Sequence, residues 1–235
     1  MKKILFLAAI LFAALCITGC ENRSENNGNN IEDLPDCENN FENNEDDPKN
    51  GGCLTINAKV EDGQYLINHV DEVRVIGCIW ESSYGCYDVT IASAPFENGG
   101  FTITLPEEID ERLLSKFPDH VFSILNVSNK DVRTTHFDMS SSNNIIACKD
   151  DNIMRFEYFE LSTKNIIVRF LYVDADVIIT GLSDSYYGKK KYDLNLKKGW
   201  NTVYEIWKEN CSVNIIYTTK KINEELKWYF KFWGI

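Results

Sequence analysis

The strongest constraint on how this chain can fold is a period-two alternation that begins at Leu54. Leu54, Ile56, Ala58 and Val60 alternate with Thr55, Asn57, Lys59 and Glu61, so an extended segment would carry one apolar and one polar face. That is the pattern of a half-buried strand. Asp62-Gly63 reads as a hairpin turn into a further strand over residues 64–70. Val73, Val75, Gly77 and Ile79 resume the alternation, residues 88–93 add a strand, and Asn98-Gly99-Gly100 turns the chain into residues 101–105. Short strands at this spacing, joined by turn residues, fold as a sandwich or barrel.

One short helix is expected to interrupt the strands, over residues 106–117. Pro106 suits a first helical position, Glu107 and Glu108 complement the helix dipole, and Ile109, Leu113, Leu114 and Phe117 share a face before Pro118 stops it. Residues 121–127 then read as extended. From Met154 strand follows strand. Lys164-Asn165 is a turn, residues 166–173 are apolar enough for a central strand, and residues 177–180, 191–196, 201–208 and 212–219 continue the series. The last segment, 227–233, places Trp228, Phe230 and Phe232 on one face and Lys227, Tyr229, Lys231 and Trp233 on the other. Lys189-Lys190-Lys191 reads as a decorated hairpin turn whose charges discourage edge pairing.

Val73 to Gly77 is echoed by Val177 to Gly181, and Tyr87-Asp88-Val89 by Tyr192-Asp193-Leu194. The echo suggests two related β-meander units, although hairpins that reuse the same turn residues account for it equally well. The expected architecture is all-β: an immunoglobulin- or transthyretin-like β-sandwich over residues 51–235, with a subdivision near residue 150 left open.

What precedes this body sets its compartment. Met1-Lys2-Lys3 is followed by fourteen apolar residues, Ile4 to Ile17, and then by Thr18-Gly19-Cys20. The run is short of the roughly 20 residues that span a bilayer but fits a signal peptide. Ile17, Thr18 and Gly19 ahead of Cys20 read as a lipobox, with Cys20 acylated as the first residue of the mature chain. Residues 1–19 are then the leader, and their removal with Lys2 and Lys3 takes the formal charge from −12 to −14. Glu21 after the cysteine points to the outer membrane; the periplasmic or outer face is left open.

Residues 20–50 follow as a tether. Between Glu21 and Asn50 lie ten acidic residues and ten Asn, against two basic residues, with Ile31, Leu34 and Phe41 isolated among them. Such a stretch buries too little apolar surface to offset its ordering entropy. The body beyond carries 20 basic and 26 acidic side chains without a basic stripe, which excludes nucleic acid as an expected partner.

Apart from Cys16 and Cys20, six cysteines remain, in keeping with an exported protein. Cys78 and Cys86 bracket a turn at Ser82 to Gly85 and form the first candidate disulfide. Cys37 with Cys53, and Cys148 with Cys211, are the companion pairings, with buried thiols as the alternative for any of the six. No Cys-x-x-Cys occurs, and His69, His120 and His136 stand apart from the cysteines, so no metal is expected.

Three stretches carry a family resemblance: Glu97 to Pro106, Tyr172 to Gly181 and Leu196 to Asn201. With the lipobox, they make the chain similar to small lipoproteins of gut Bacteroidetes with β-sandwich ectodomains. The resemblance covers roughly residues 1–20 and 50–210. It implies fold and compartment, and no activity, because its motifs are strands and turns.

No nucleophile elbow, His-Glu-x-x-His, P-loop or dinucleotide pattern is present. Asp174-x-Asp176 lacks the later oxygen ligands of a calcium loop and reads as an acidic turn. Among the aromatics, Trp80, Tyr186 and Tyr187 lie nearest to turns and are the candidate ligand contacts, by stacking on sugar; core packing is expected to claim most of the others. The expected function is a non-enzymatic, lipid-anchored envelope protein, without cofactor, whose domain binds or scaffolds a glycan or protein. A fimbria- or adhesin-like subunit joined by strand exchange is the first alternative, and a hydrolase with an unrecognised site the second.

Overall fold

The computed structural model describes residues 53–81, 85–117, 119–135, 145–150, 152–185, 188–209 and 211–232, without the side chains of 80, 81, 85, 86, 119, 120, 122, 153–157 and 232. The leader, the lipobox at Ile17, Thr18, Gly19 and Cys20, the tether, Tyr186 and Tyr187 lie outside the described residues. Those that are described fall within one compact unit.

The body is all-β and sandwich-like. In chain order the strands among the described residues are β1 (Leu54–Lys59), β2 (Glu72–Glu81), β3 (Gly85–Pro95), β4 (Gly100–Leu105), β5 (Ser115–Lys116), β6 (Asn126–Val127), β7 (Arg133–Thr134), β8 (Ile145–Lys149), β9 (Asn152–Ser162), β10 (Ile166–Val173), β11 (Val177–Ser185), β12 (Gly188–Leu196), β13 (Gly199–Trp207), β14 (Ile215–Thr218) and β15 (Lys227–Phe232), with a short α-helix, α1 (Asp119–Ile124). Among the described residues no helix is long and apolar enough to cross a membrane.

β1 and β4 form a two-stranded sheet that covers one face of the main sheet. Their register sets Leu54 against Leu105, Ile56 against Ile103 and Ala58 against Phe101. These side chains point inward, while Thr55 bonds Thr104 at 3.1 Å and Thr102 donates to Asn57 at 3.0 Å on the outer face. Beneath them lie Val73 and Val75 of β2, Ile145 and Ala147 of β8, Phe159 of β9 and Trp228 of β15, all in one apolar core. The alternation that opens at Leu54 is thus the signature of a covering layer.

The main sheet runs β3-β2-β8-β9-β10-β13-β14-β12-β11-β6, with β15 added to β9 and the short β7 to β10. A second core lies between β10 to β14 and the segment that carries Phe117, Val121, Leu125 and Val132. A third, around Ile166, Val168, Tyr204, Ile206 and Ile216, fills the opposite side of β10, β13 and β14. Both faces of β13 are therefore buried over much of its length, as its apolar content requires.

Several expectations need correction. Residues 64–70 are not a strand: Asp62 takes a left-handed conformation with φ of 57°, and Gly63–Tyr65 forms a 3₁₀ turn. The chain curls there because Gly63 packs against the backbone of Gly99, where an added Cβ would lie 2.2 Å from the Gly99 carbonyl oxygen. The partner of β1 is β4, and the Asn98-Gly99 turn that launches β4 does form. Both of its central residues have positive φ, and Glu97 and Gly100 exchange bonds of 2.9 and 3.0 Å.

The helix expected over residues 106–117 is replaced by a 3₁₀ turn at Glu111–Leu113, a bridge at β5, and then α1, where extended chain was expected. Tertiary contacts take the carbonyls that a helix would use. The Trp200 indole donates to the Pro106 oxygen at 2.8 Å and the Tyr172 hydroxyl to the Glu107 oxygen at 3.1 Å. Asp110 caps the 3₁₀ turn by accepting from the Arg112 amide at 2.9 Å, which makes it a start signal inside the predicted helix.

The echoed segments are both hairpins, β2-β3 and β11-β12, but neither extends into a meander. β4 leaves for β1, and β14 slots between β12 and β13, parallel to β12. β12 is therefore an interior strand, and Lys190 and Lys191 do not guard an edge.

Cys78 and Cys211 are disulfide-bonded. Cys53 is an exposed thiol that donates to the Leu105 oxygen at 3.2 Å, and Cys148 is a buried thiol in β8. With Cys53 and Cys148 both thiols, the Cys37–Cys53 and Cys148–Cys211 pairings do not form. For Cys78 and Cys86 the register sets Cys78 against Asp88 and Cys86 against Trp80, so the two are diagonal positions of one hairpin.

Candidate functional site

The candidate site grows from the β9-β10 hairpin. Thr163 and Ile166 close the turn at Lys164-Asn165 with a 2.8 Å bond, and Ser162 pairs with Ile167. From there the strands part. β9 stays with β15 over residues 157–162, whereas β10 runs on along β13 and meets β7 at Val173.

Alternation sorts the side chains of these four strands into two sets. Phe159, Trp228, Phe230, Val168 and Phe170 face the cores on one side. On the other, beyond the end of the second core to which Leu171, Val173 and Val203 belong, are Tyr158 and Glu160 from β9, Arg169 from β10, Glu205 and Trp207 from β13, and Tyr229 and Lys231 from β15, as the registers Glu160 to Tyr229, Tyr158 to Lys231 and Ile167 to Glu205 require.

Two carboxylates are buried on this outward face, and their situations differ. Glu205 is 3% exposed and fully engaged: Arg169 Nε donates to Oε2 at 3.0 Å and the Trp207 indole N–H to Oε1 at 2.9 Å. Glu160 is 8% exposed, and its contact is Lys231 Nζ at 3.8 Å, beyond hydrogen-bonding distance. Lys231 also lies 5.3 Å from the centre of the Tyr229 ring, a cation–π approach. Burial, and after it the charge of Glu160, pushes the Tyr158 hydroxyl above its ordinary value, while Arg169 pulls the other way. Tyr158 is thus a neutral phenol at physiological pH. The face carries two acids and two bases, with Trp207 exposed to 39% beside them. It has the makings of a surface that binds, since aromatic area stands next to directional donors and acceptors.

The residues singled out by sequence fare unevenly. Trp80 belongs to β2 opposite Cys86, and its side chain, like Tyr186 and Tyr187, lies outside the described residues. Trp200 and Trp228 are core residues, 4% and 6% exposed, Trp200 against Tyr172 and Trp228 against Phe101. Among the described tryptophan side chains Trp207 is the one that faces out, and proximity to a turn does not single it out. Its parity with Glu205, opposite to Tyr204 and Ile206, is the signal that could have.

Asp174 and Asp176 do not converge. Asp174 accepts from the Arg133 amide and Nε, each at 2.7 Å, and Asp176 from the Lys198 amide at 2.8 Å and Lys197 Nζ at 3.1 Å. Among the described residues no three His, Cys, Asp or Glu side chains are grouped to hold a metal ion. An open groove of about 530 Å³ also lies at the β1-β4 end, between Asn57, Lys59, Pro95, Glu97, Asn98 and Thr102. Comparison with protein-family models, with curated proteins and with solved structures yields no match.

Proposed function

We propose that the chain is a lipid-anchored cell-envelope protein of the outer membrane, whose β body is a non-enzymatic binding or scaffolding domain. In this reading Cys20 carries the lipid, residues 20–50 hold the body off the membrane, and the outward face of β9, β10, β13 and β15 contacts a glycan or protein. The observation that supports the contact surface is Trp207, exposed beside Glu205 and Arg169 on a face whose reverse side is core. An exposed aromatic held in place by a buried ion pair is a rigid anchor, which loses little entropy when a partner docks. The mixed charge disfavours nucleic acid, which needs a basic stripe.

Two experiments test this. Cys20→Ser should abolish metabolic acyl labelling and release the protein from membranes; labelling that persists would remove the anchor from the proposal. Arrays of glycans and of envelope proteins, probed with the mature chain, should give a signal that Trp207→Ala lowers. An unchanged signal would move the contact surface elsewhere.

A second reading has its own observation. The eleven-residue β3 ladders with β2 on one edge and, among the described residues, with nothing on the other. A second copy adding a strand there would make the protein a fimbria- or adhesin-like subunit. Light scattering that finds only monomer across a concentration series would sink it.

A further inference from the structure

We infer that Glu160 is the recognition acid of a subsite for a neutral pyranoside, an inference that rests on the reading of this sheet face as a binding surface. A carboxylate buried to this degree nearly always receives hydrogen bonds, because each lost donor from water has to be replaced. Glu205 meets that condition with two donors at 3.0 and 2.9 Å. Glu160, 8% exposed, has Lys231 at 3.8 Å, and among the described residues no hydrogen bond to its carboxylate. Carboxylate oxygens accept hydrogen bonds, so what completes this site must donate.

The surroundings narrow the donor. Tyr229 stands directly opposite Glu160 on β15, and Tyr158 lies two positions back on β9, so the carboxylate has half-buried aromatic rings on two sides. A cationic ligand would meet Lys231 and Arg169, and an anionic one Glu160 and Glu205, so either would bring a like charge close. A neutral sugar meets neither penalty. One hydroxyl donates to Glu160, a neighbouring oxygen accepts from Lys231, and the C–H face of the ring rests on Tyr229. Bonds between a charged group and a hydroxyl are the stronger kind, and the aromatic ring supplies apolar area without charge.

The test is affinity electrophoresis of the mature chain through gels that contain starch, xylan or galactomannan, with polygalacturonate as the anionic control. Retardation is expected in at least one neutral gel and not in polygalacturonate. Glu160→Gln removes the charge at constant volume and should weaken that binding about tenfold or more, and Tyr229→Ala by a similar factor. A thermal melt of each variant separates lost binding from lost fold.

Mobility unaltered in all three neutral gels would overturn the inference. Binding that persists in folded Glu160→Gln and Tyr229→Ala would overturn the inference, and its persistence in Trp207→Ala as well would overturn the choice of face. Retardation by polygalacturonate that disappears in Trp207→Ala would keep the face as a binding surface and discard the neutral sugar.

Discussion

Removing the Glu205 carboxylate should expose how strongly the outward face is desolvated. Its side chain is 4% exposed and that of Arg169 16%, so their 3.0 Å ion pair lies largely out of water. Glu205→Leu takes this acid from the guanidinium and the acceptor from the Trp207 indole. Breaking a buried pair by removing one partner costs about 3–5 kcal/mol. For a body of this size that corresponds to a fall in melting temperature of roughly 6–20 °C.

Glu205→Gln is milder, because the amide oxygen still accepts from the indole and only the charge is lost, so about 1.5–3 kcal/mol is expected. The double variant Arg169→Leu with Glu205→Leu removes both charges and should recover most of the loss, since an apolar pair of similar volume is often as stable as a buried ion pair. Urea denaturation of the unaltered protein, Glu205→Leu, Arg169→Leu and the double variant closes a double-mutant cycle. If both single changes cost less than about 1 kcal/mol and show no coupling, the pair is an ordinary screened surface contact and the argument from burial fails.

Phe159 stacks or tilts against Phe96, Phe101 and Phe230 at 5.4, 5.3 and 5.4 Å and is 0% exposed, so it joins the covering β1-β4 layer to the main sheet. Phe159→Ala should cost about 3–5 kcal/mol in urea denaturation, and a loss under about 1 kcal/mol would refute the two-layer packing. Asp110 is held down to about 2 from 3.8, first by the Arg112 side chain and then by its amide. A carboxylate depressed on folding contributes stability above its ordinary value and loses it as pH falls, here through the interval from about 4 to about 2. Carbon NMR should find its midpoint near 2, and Arg112→Gln should raise it; a midpoint at the ordinary value contradicts the cap.

How much of this was legible depended on whether local pattern and tertiary pairing agreed. The all-β class, the Asn98-Gly99 turn, the Lys164-Asn165 turn and the central strand at 166–173 are local, and all appear as read. Alternation in the last strand separated Trp228 and Phe230 from Tyr229 and Lys231, which is the division between core and outward face. Where the pattern misled, a distant partner had intervened. Ile109, Leu113, Leu114 and Phe117 do make a helical stripe. Trp200 and Tyr172, far along the chain, nevertheless claim the first carbonyls, and Ser115 pairs with Thr134.

The site was hidden for the same reason. Glu160, Arg169, Glu205 and Lys231 lie on four strands, and they read as scattered surface charges until the registers bring them together. The sequence marks each as outward by parity, yet outward parity usually means solvent. Both Glu160 and Glu205 are nevertheless buried, where β10 holds β13 along its whole length on one edge and meets β9 only at Ile167 on the other. Glu205 sits in a closed pair with Arg169 at 3.0 Å and Glu160 has Lys231 at 3.8 Å, so one acid serves the fold and the other is the better measure of what the face binds.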